Sequence, residues 1–172
     1  MPKPEPATPT IRPATREDIP AIHDVHSASI RGLCAAAYSA QLIDAWASNP
    51  DLNRYSKMLA PDARCLVAVA NGQLCGFGSL ELTKSRLESL FVHPDYAGTG
   101  LGRRLLQALE ELAREANVTM LDVQASLNAR EFYAKHGYRL CKMSTHCTST
   151  GLQMDCAEME KPLAAEPAQN GH

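Results

Sequence analysis

Residues 87–106 read LESLFVHPDYAGTGLGRRLL, and the reading of this stretch decides the fold. An apolar, strand-like run ends at His93-Pro94, where proline removes a ladder donor and restricts the residue before it. Gly98, Gly100 and Gly102 follow at alternate positions, then Arg103, Arg104 and a leucine-rich run. The spacing predicts a helix from about Leu101 to Ala116. Its apolar stripe is Leu101, Leu105, Leu109 and Leu112, with Arg103, Glu110, Glu111 and Arg114 away from it. A strand that runs through glycines into a helix points several backbone N–H groups at one place. The helix N-terminus adds partial positive charge there, which makes an anion site best filled by phosphate. Glycine lets a phosphate approach without a Cβ in the way, and Arg103 and Arg104 can add charge at the rim.

The spacing excludes two familiar phosphate loops. A dinucleotide fold needs G-x-G-x-x-G, but Arg103 stands three after Gly100. A P-loop needs a G-K-[ST] ending that is missing here. On the glycines alone, a turn without any ligand stays open as the alternative.

Outward from this stretch, Thr10–Thr15 reads as a first strand. Thr15-Arg16-Glu17-Asp18 then fits the capping-box pattern of a helix start. Ile19, Ile22, Val25, Ile30 and Leu33 recur at helical spacing, and Ser39 can cap a second helix carrying Leu42, Ile43 and Trp46. CLVAVA, Asn71-Gly72 and QLCGFGSLEL form a hairpin signal, because Asn-Gly suits the two positive-φ positions of a type I′ turn. VTMLDVQ reads as a strand, NAREFYAKHG as a helix stopped at Gly137, and YRLCKMS and GLQMDCAEME as two closing antiparallel strands. The order β-α-α-β-β-β-α-β-α-β-β implies a mixed α/β (α+β) fold with helices on both faces of one sheet. Residues 86–123 should form a right-handed crossover. One domain is expected over 10–163, flanked by disordered tails at 1–9, which holds four prolines, and 164–172.

Composition excludes several classes. Among 172 residues the net charge is −2, which argues against a broad nucleic-acid surface. There is no apolar run of membrane-spanning length and no signal-peptide core at the start, so the chain is expected in the cytoplasm. Six cysteines occur without a C-x-x-C pair, mostly within apolar runs, and read as buried reduced thiols. His146-Cys147 lacks a second ligand pair, so no metal is expected.

LESLFVHPDYAGTGLGRRLL together with NAREFYAKHGY resembles the GNAT superfamily of acetyl-CoA-dependent N-acetyltransferases. The family has [Q/R]-x-x-G-x-[G/A] on a strand-loop-helix and a later asparagine-to-tyrosine-to-glycine helix end. Asn128, Tyr133 and Gly137-Tyr138 match the second part, and Ala97 departs from the first by replacing its Gln or Arg. The resemblance implies a mostly antiparallel sheet and acetyl-CoA as cosubstrate, with no metal. Ala97, Gly98, Thr99, Gly100, Leu101, Gly102 and Arg103 would cradle the pyrophosphate. The main chain of Leu90, Phe91 and Val92 would pair with the pantetheine arm as with an added strand. Asn128 would cap its helix or touch the same arm.

The resemblance also implies direct acetyl transfer to a primary amine of a small molecule or peptide. Tyr133 would be the general acid for the departing thiolate, being protonated at neutral pH. Glu88 would be the base, on the strand face that alternation assigns to 86, 88, 90 and 92, with a water relay as the alternative. The acceptor would lie near the first two helices, beside His26, Cys34, Tyr38 and Trp46. Ala97 keeps a second class open: a module that binds acyl-CoA without turnover. No nucleic-acid or membrane partner is expected, and a homodimer is the default association.

Overall fold

Seven strands form one sheet in the order β1-β2-β3-β4-β5-β7-β6 in the computed structural model, which describes residues 7–49, 51–147 and 151–164. The strands are β1 (Thr10–Pro13), β2 (Ala63–Ala70), β3 (Gln73–Glu81), β4 (Arg86–Val92), β5 (Met120–Ser126), β6 (Arg139–Cys147) and β7 (Gln153–Pro162). Every neighbouring pair is antiparallel except β4 and β5, which are parallel. The helices are α1 (Ile19–Leu33), α2 (Ala40–Ala47), α3 (Leu101–Glu115) and α4 (Arg130–Lys135). The expected tails fall largely outside the described residues, and Pro9, which is described, accepts a hydrogen bond from Arg104 at 2.9 Å. No helix among the described residues is long and apolar enough to cross a membrane.

Local chemistry explains the elements. Asn71 (φ 52°) and Gly72 (φ 74°) turn β2 into β3, as a type I′ hairpin requires. The Ser39 hydroxyl accepts the Leu42 N–H and starts α2. The Asp18 carboxylate accepts the Thr15 N–H at 2.8 Å and a two-pronged bond from Arg12, both prongs 2.8 Å. The Arg12 bonds hold its pKa down to about 2, and the pair ties β1 to the single 3-10 turn that opens α1.

The helices cover both faces of the sheet. On one face Leu105 and Leu109 of α3 pack with Leu80, Leu87, Leu121 and Met159. On the other, Ile22 and Val25 of α1 meet Cys65, Val67, Phe77 and Tyr55, while Ile30, Cys34, Ile43 and Ala47 close the α1–α2 contact. A side chain at Gly78 would place its Cβ 2.5 Å from Leu109 Cδ1, so the bare strand lets α3 lie close against β3. Fully burying each such leucine contributes roughly 1.5–3 kcal/mol.

Two expectations are corrected. Glu110 is not on the solvated side of α3 but buried, where it accepts bonds from Tyr138 Oη (3.1 Å) and Lys161 Nζ (2.9 Å). Of the six cysteines, Cys34, Cys65, Cys75 and Cys156 are buried, but Cys141 and Cys147 on the outermost strand β6 are exposed. That strand lies at the sheet edge, where neither face of these positions is covered.

Candidate active site

The parallel pair is short. β4 and β5 are in register only at Arg86–Asp122 and Leu87–Val123. Beyond those residues each strand keeps its antiparallel neighbour, β3 or β7, and loses the other. The sheet therefore forks at the carboxyl ends of its two parallel strands, where α/β folds commonly hold ligands. A cleft of about 710 Å³ occupies the fork, lined by Leu87–Phe91 from one prong and Val123–Ser126 from the other.

The fork begins at a β-bulge. Ser79 faces Ser89, but Leu80 faces Leu87, so Glu88 is the extra residue on β4. The bulge overturns the expected alternation of 86, 88, 90 and 92 on one face. Leu87, not Glu88, joins Leu90 and Val92 against the α3-side core, and Phe91 turns to the α1 side. Glu88 itself lines the cleft. Burial, then the neighbouring Glu81 carboxylate, pushes its pKa upward. Glu81 is drawn the other way: its own desolvation is outweighed by bonds from Glu88 and from Lys84, whose Nζ lies 3.3 Å away. Beside them Ser79 and Ser89 share a buried hydroxyl–hydroxyl bond of 2.5 Å.

Tyr133 enters the cleft from α4. It is 4 % exposed, and burial alone raises its phenol well above the ordinary value. Such a phenol is a proton donor at any physiological pH. Its ring packs edge-on against Phe132 and Tyr138.

The glycine loop follows β4 at the same end of the sheet, on the surface. A 3-10 turn, Pro94–Tyr96, leads into it. Gly98 (φ 75°) and Gly100 (φ 87°) take left-handed backbone with open space where a Cβ would be, so the conformation, not crowding, requires glycine. Gly102 differs: it lies inside α3, where a Cβ would make ordinary contact with Phe132 at 3.5 Å. The Ala97 and Thr99 N–H groups are spent on Pro94 and Tyr96 carbonyls. Those of Gly98, Gly100, Leu101, Gly102 and Arg103 have no backbone acceptor among the described residues. Five N–H groups without a backbone acceptor at the start of α3 suit a diphosphate. Arg103 is exposed nearby, whereas Arg104 reaches back to Pro9.

Asn128 does not cap α4. It sits in a separate 3-10 turn (Leu127–Ala129), and Ala129 is the residue that precedes α4. Cys34 is not on the cleft wall but in the α1–α2 core, where burial raises its thiol to about 11. Tyr38 and Trp46 do line the cleft, with ring centroids 6.1 Å apart. The Tyr38 hydroxyl is a cross-tie as well: it accepts the Leu127 N–H at 2.9 Å and donates to the Asp155 carbonyl at 2.6 Å. His26 lines the same wall, 4.3 Å from the Phe91 ring, and burial, then the Arg54 charge, pulls its pKa down to about 3.

Sequence reasoning missed Glu81, the serine pair, and Arg54 with Tyr55, which come from a 3-10 helix at Leu52–Leu59. The three-residue spacing of Leu52, Tyr55 and Met58 was the available cue.

Comparison with known proteins places this geometry. A family model described as "Acetyltransferase (GNAT) domain" matches residues 34–161. The uncharacterized N-acetyltransferase YafP of Escherichia coli K12 is 33% identical over 105 residues, which are 61% of this chain and 64% of that protein. The chain thus spans less than two thirds of that relative's length. A GCN5-related N-acetyltransferase structure from Rhodopseudomonas palustris, also described as "Aminotransferase, Class-II", superposes with a TM-score of 0.83. It is 35% identical and covers 92% of this chain and 98% of its own. The PaiA N-acetyltransferase of Thermoplasma acidophilum, solved in complex with coenzyme A, shares the fold. Its TM-score is 0.72 at 23% identity, covering 90% of this chain and 99% of its own.

Proposed function

The chain belongs to the GNAT acetyltransferase family, and on that premise we propose that it transfers acetyl from acetyl-CoA directly to a primary amine of a small molecule or peptide. The observation that carries this reading is the placement of Tyr133 and Glu88 in one cleft, at the fork of β4 and β5.

Acetyl-CoA, when bound, supplies an acetyl thioester. Gly98, Gly100, Leu101, Gly102 and Arg103 hold its diphosphate through main-chain N–H groups, with Ala97 and Thr99 shaping the turn. The unpaired edge of β4 at Leu90–Val92 receives the amide-bearing arm as a partial strand. Asn128 steadies the far side through the Leu127–Ala129 turn. Glu88, directly or through water, takes a proton from the ammonium form of the acceptor, whose pKa is about 10 in water. The freed lone pair forms the N–C bond as the C–S bond breaks. The Tyr133 hydroxyl gives its proton to the departing sulfur, and the second proton of the new amide nitrogen, passed on through water, restores the phenol. A raised carboxylate pKa makes Glu88 a stronger base.

The test is release of free coenzyme A from acetyl-CoA across a panel of primary amines. Tyr133→Phe should lower kcat by about 10²–10⁴-fold, with acetyl-CoA binding retained by calorimetry. Unchanged kcat in that variant removes Tyr133 from the acid role. Binding of acetyl-CoA with no turnover of any amine favours the non-catalytic module.

A further inference from the structure

Arg54 is a cation of the cleft that the acetyl-transfer roles leave unexplained. Among the described residues three arginines are drawn partly in from solvent: Arg54, Arg86 and Arg114. Arg86 is paired with Asp122 at 2.9 Å, and Arg114 with Glu111 at 3.5 Å. Arg54 has no carboxylate within salt-bridge distance among the described residues, and its Nε is buried without a hydrogen-bond partner. A guanidinium left in this state is costly unless something anionic meets it.

The surroundings hold that guanidinium in place. Arg54 Nη2 donates to the Tyr55 hydroxyl at 2.6 Å and lies 3.3 Å from His23 Nδ1, and its plane sits over the Tyr55 ring at 4.7 Å. Tyr55 is 1 % exposed and cannot move away. With its oxygen accepting from Arg54, the Tyr55 O–H is left to donate to a histidine. His26 Nδ1, at 2.9 Å, is nearer than His23 Nδ1, at 3.2 Å. His26 is therefore an acceptor and neutral, and Arg54 is the fixed cation of this group. Arg54 lines the same cleft as Glu88 and Tyr133, along with an aromatic wall of Trp46, Tyr38, Phe91 and His26. Trp46 stands 6.3 Å from Phe91 and 6.2 Å from His26.

From this arrangement we infer that the acceptor is an amine that also carries a carboxylate, received by Arg54, with an apolar body against the Trp46–Phe91 wall. This inference rests on the acetyl-transfer reading for the amine, but not for the carboxylate. A planar guanidinium already held by two side chains receives a carboxylate through its remaining N–H groups with little further loss of freedom. A plain alkyl or aryl amine would leave it unmet.

The test compares each acid with the same molecule lacking its carboxylate: phenylalanine with phenethylamine, and methionine with 3-(methylthio)propylamine. Two readouts are taken. One is kcat/KM by coenzyme A release. The other is quenching of Trp46, the single tryptophan of the chain, in protein loaded with coenzyme A. In the wild type at least one acid should exceed its decarboxylated partner by about tenfold or more in both readouts. Arg54→Met should bring that ratio close to one, mainly through KM, and Arg54→Lys should keep part of it. Calorimetric binding of coenzyme A to each variant checks that it is folded. Preference for the acids in quenching without turnover sustains the anion site and overturns the amine-transfer reading. Equal response to both members of each pair, response to neither, or equal loss for both in Arg54→Met overturns the anion site.

Discussion

At the scale of the residue, the cleft holds two neighbouring carboxylates whose pKa values are driven in opposite directions. Glu88 is raised by burial and by Glu81, while Glu81 is lowered by bonds from Glu88 and Lys84. If Glu88 is the base, the acid limb of the kcat/KM profile reports its protonation. Glu81→Gln removes a like charge and puts an amide donor beside the Glu88 carboxylate. Glu88 then stays ionised to lower pH, and the limb moves toward acid. A pH–rate series on both proteins checks this, and a limb that stays in place assigns it to another group. Little of this pair was legible in the sequence. Glu88 was found by its offset from Leu90, but the face assigned to it rested on unbroken alternation. The residues ESLF carry no mark of a bulge, since a bulge is set by how β3 pairs across the hairpin. Glu81 comes from the far side of that pairing, so it could not be found along the chain. Tyr133 was legible only through the resemblance of NAREFYAKHGY to the family motif, since a tyrosine beside Phe132 on a short helix otherwise reads as core.

At the scale of the element, the passage from β4 to α3 holds the amides without a backbone acceptor among the described residues. Gly100 opens α3 with φ 87° and ψ 2°, and Gly98 has φ 75°. A methyl group at Gly100 meets no neighbour within 4 Å, so its effect is conformational: about 1–2 kcal/mol for holding alanine in left-handed backbone. Gly100→Ala should lower Tm by only a few degrees, yet weaken coenzyme A binding by about tenfold or more, because relaxing the strain turns the amides aside. Thermal melts and calorimetry on one preparation separate the two effects. An equal affinity in the variant shows that the amides there hold nothing. Elements of this kind were legible because strand, turn and helix each leave a period or a breaker. The 3-10 helix at Leu52–Leu59 left only the three-residue spacing of Leu52, Tyr55 and Met58, a period that is neither the helical 3.6 nor the strand's two. It nevertheless supplies Arg54 and Tyr55.

At the scale of the whole molecule, the two halves of the sheet share only two registered positions between β4 and β5, so other contacts must hold them together. Glu110 is one such contact. From α3 it receives Lys161 of β7 and Tyr138, which follows α4. Removing a buried carboxylate that satisfies two donors costs about 3 kcal/mol. Glu110→Ala should shift the urea midpoint down accordingly with little change in slope, and Glu110→Gln, which keeps the Tyr138 bond, should lose less. The sequence put Glu110 on the wet side of its helix, because glutamate beside a leucine stripe ordinarily is. The interior place is made tolerable by Tyr138 and by Lys161, which arrives from a strand about fifty residues later, in the β7 position between β5 and β6. The element order and the covering of both faces followed from local pattern. The strand order at the β7 end did not, since nothing local says which of the last two strands joins β5.

The fork has a further consequence for how the molecule lives among others of its kind. Bare strand margins invite extended polypeptide and promote clumping, and proteins usually guard them at the outer rim. Here two such margins face one another in mid-sheet, walled by helices above and below, and they diverge too quickly to zip together. Margins that would be a hazard at the rim are thereby kept apart inside the sheet, where their free backbone groups face a cleft and not another molecule's strand.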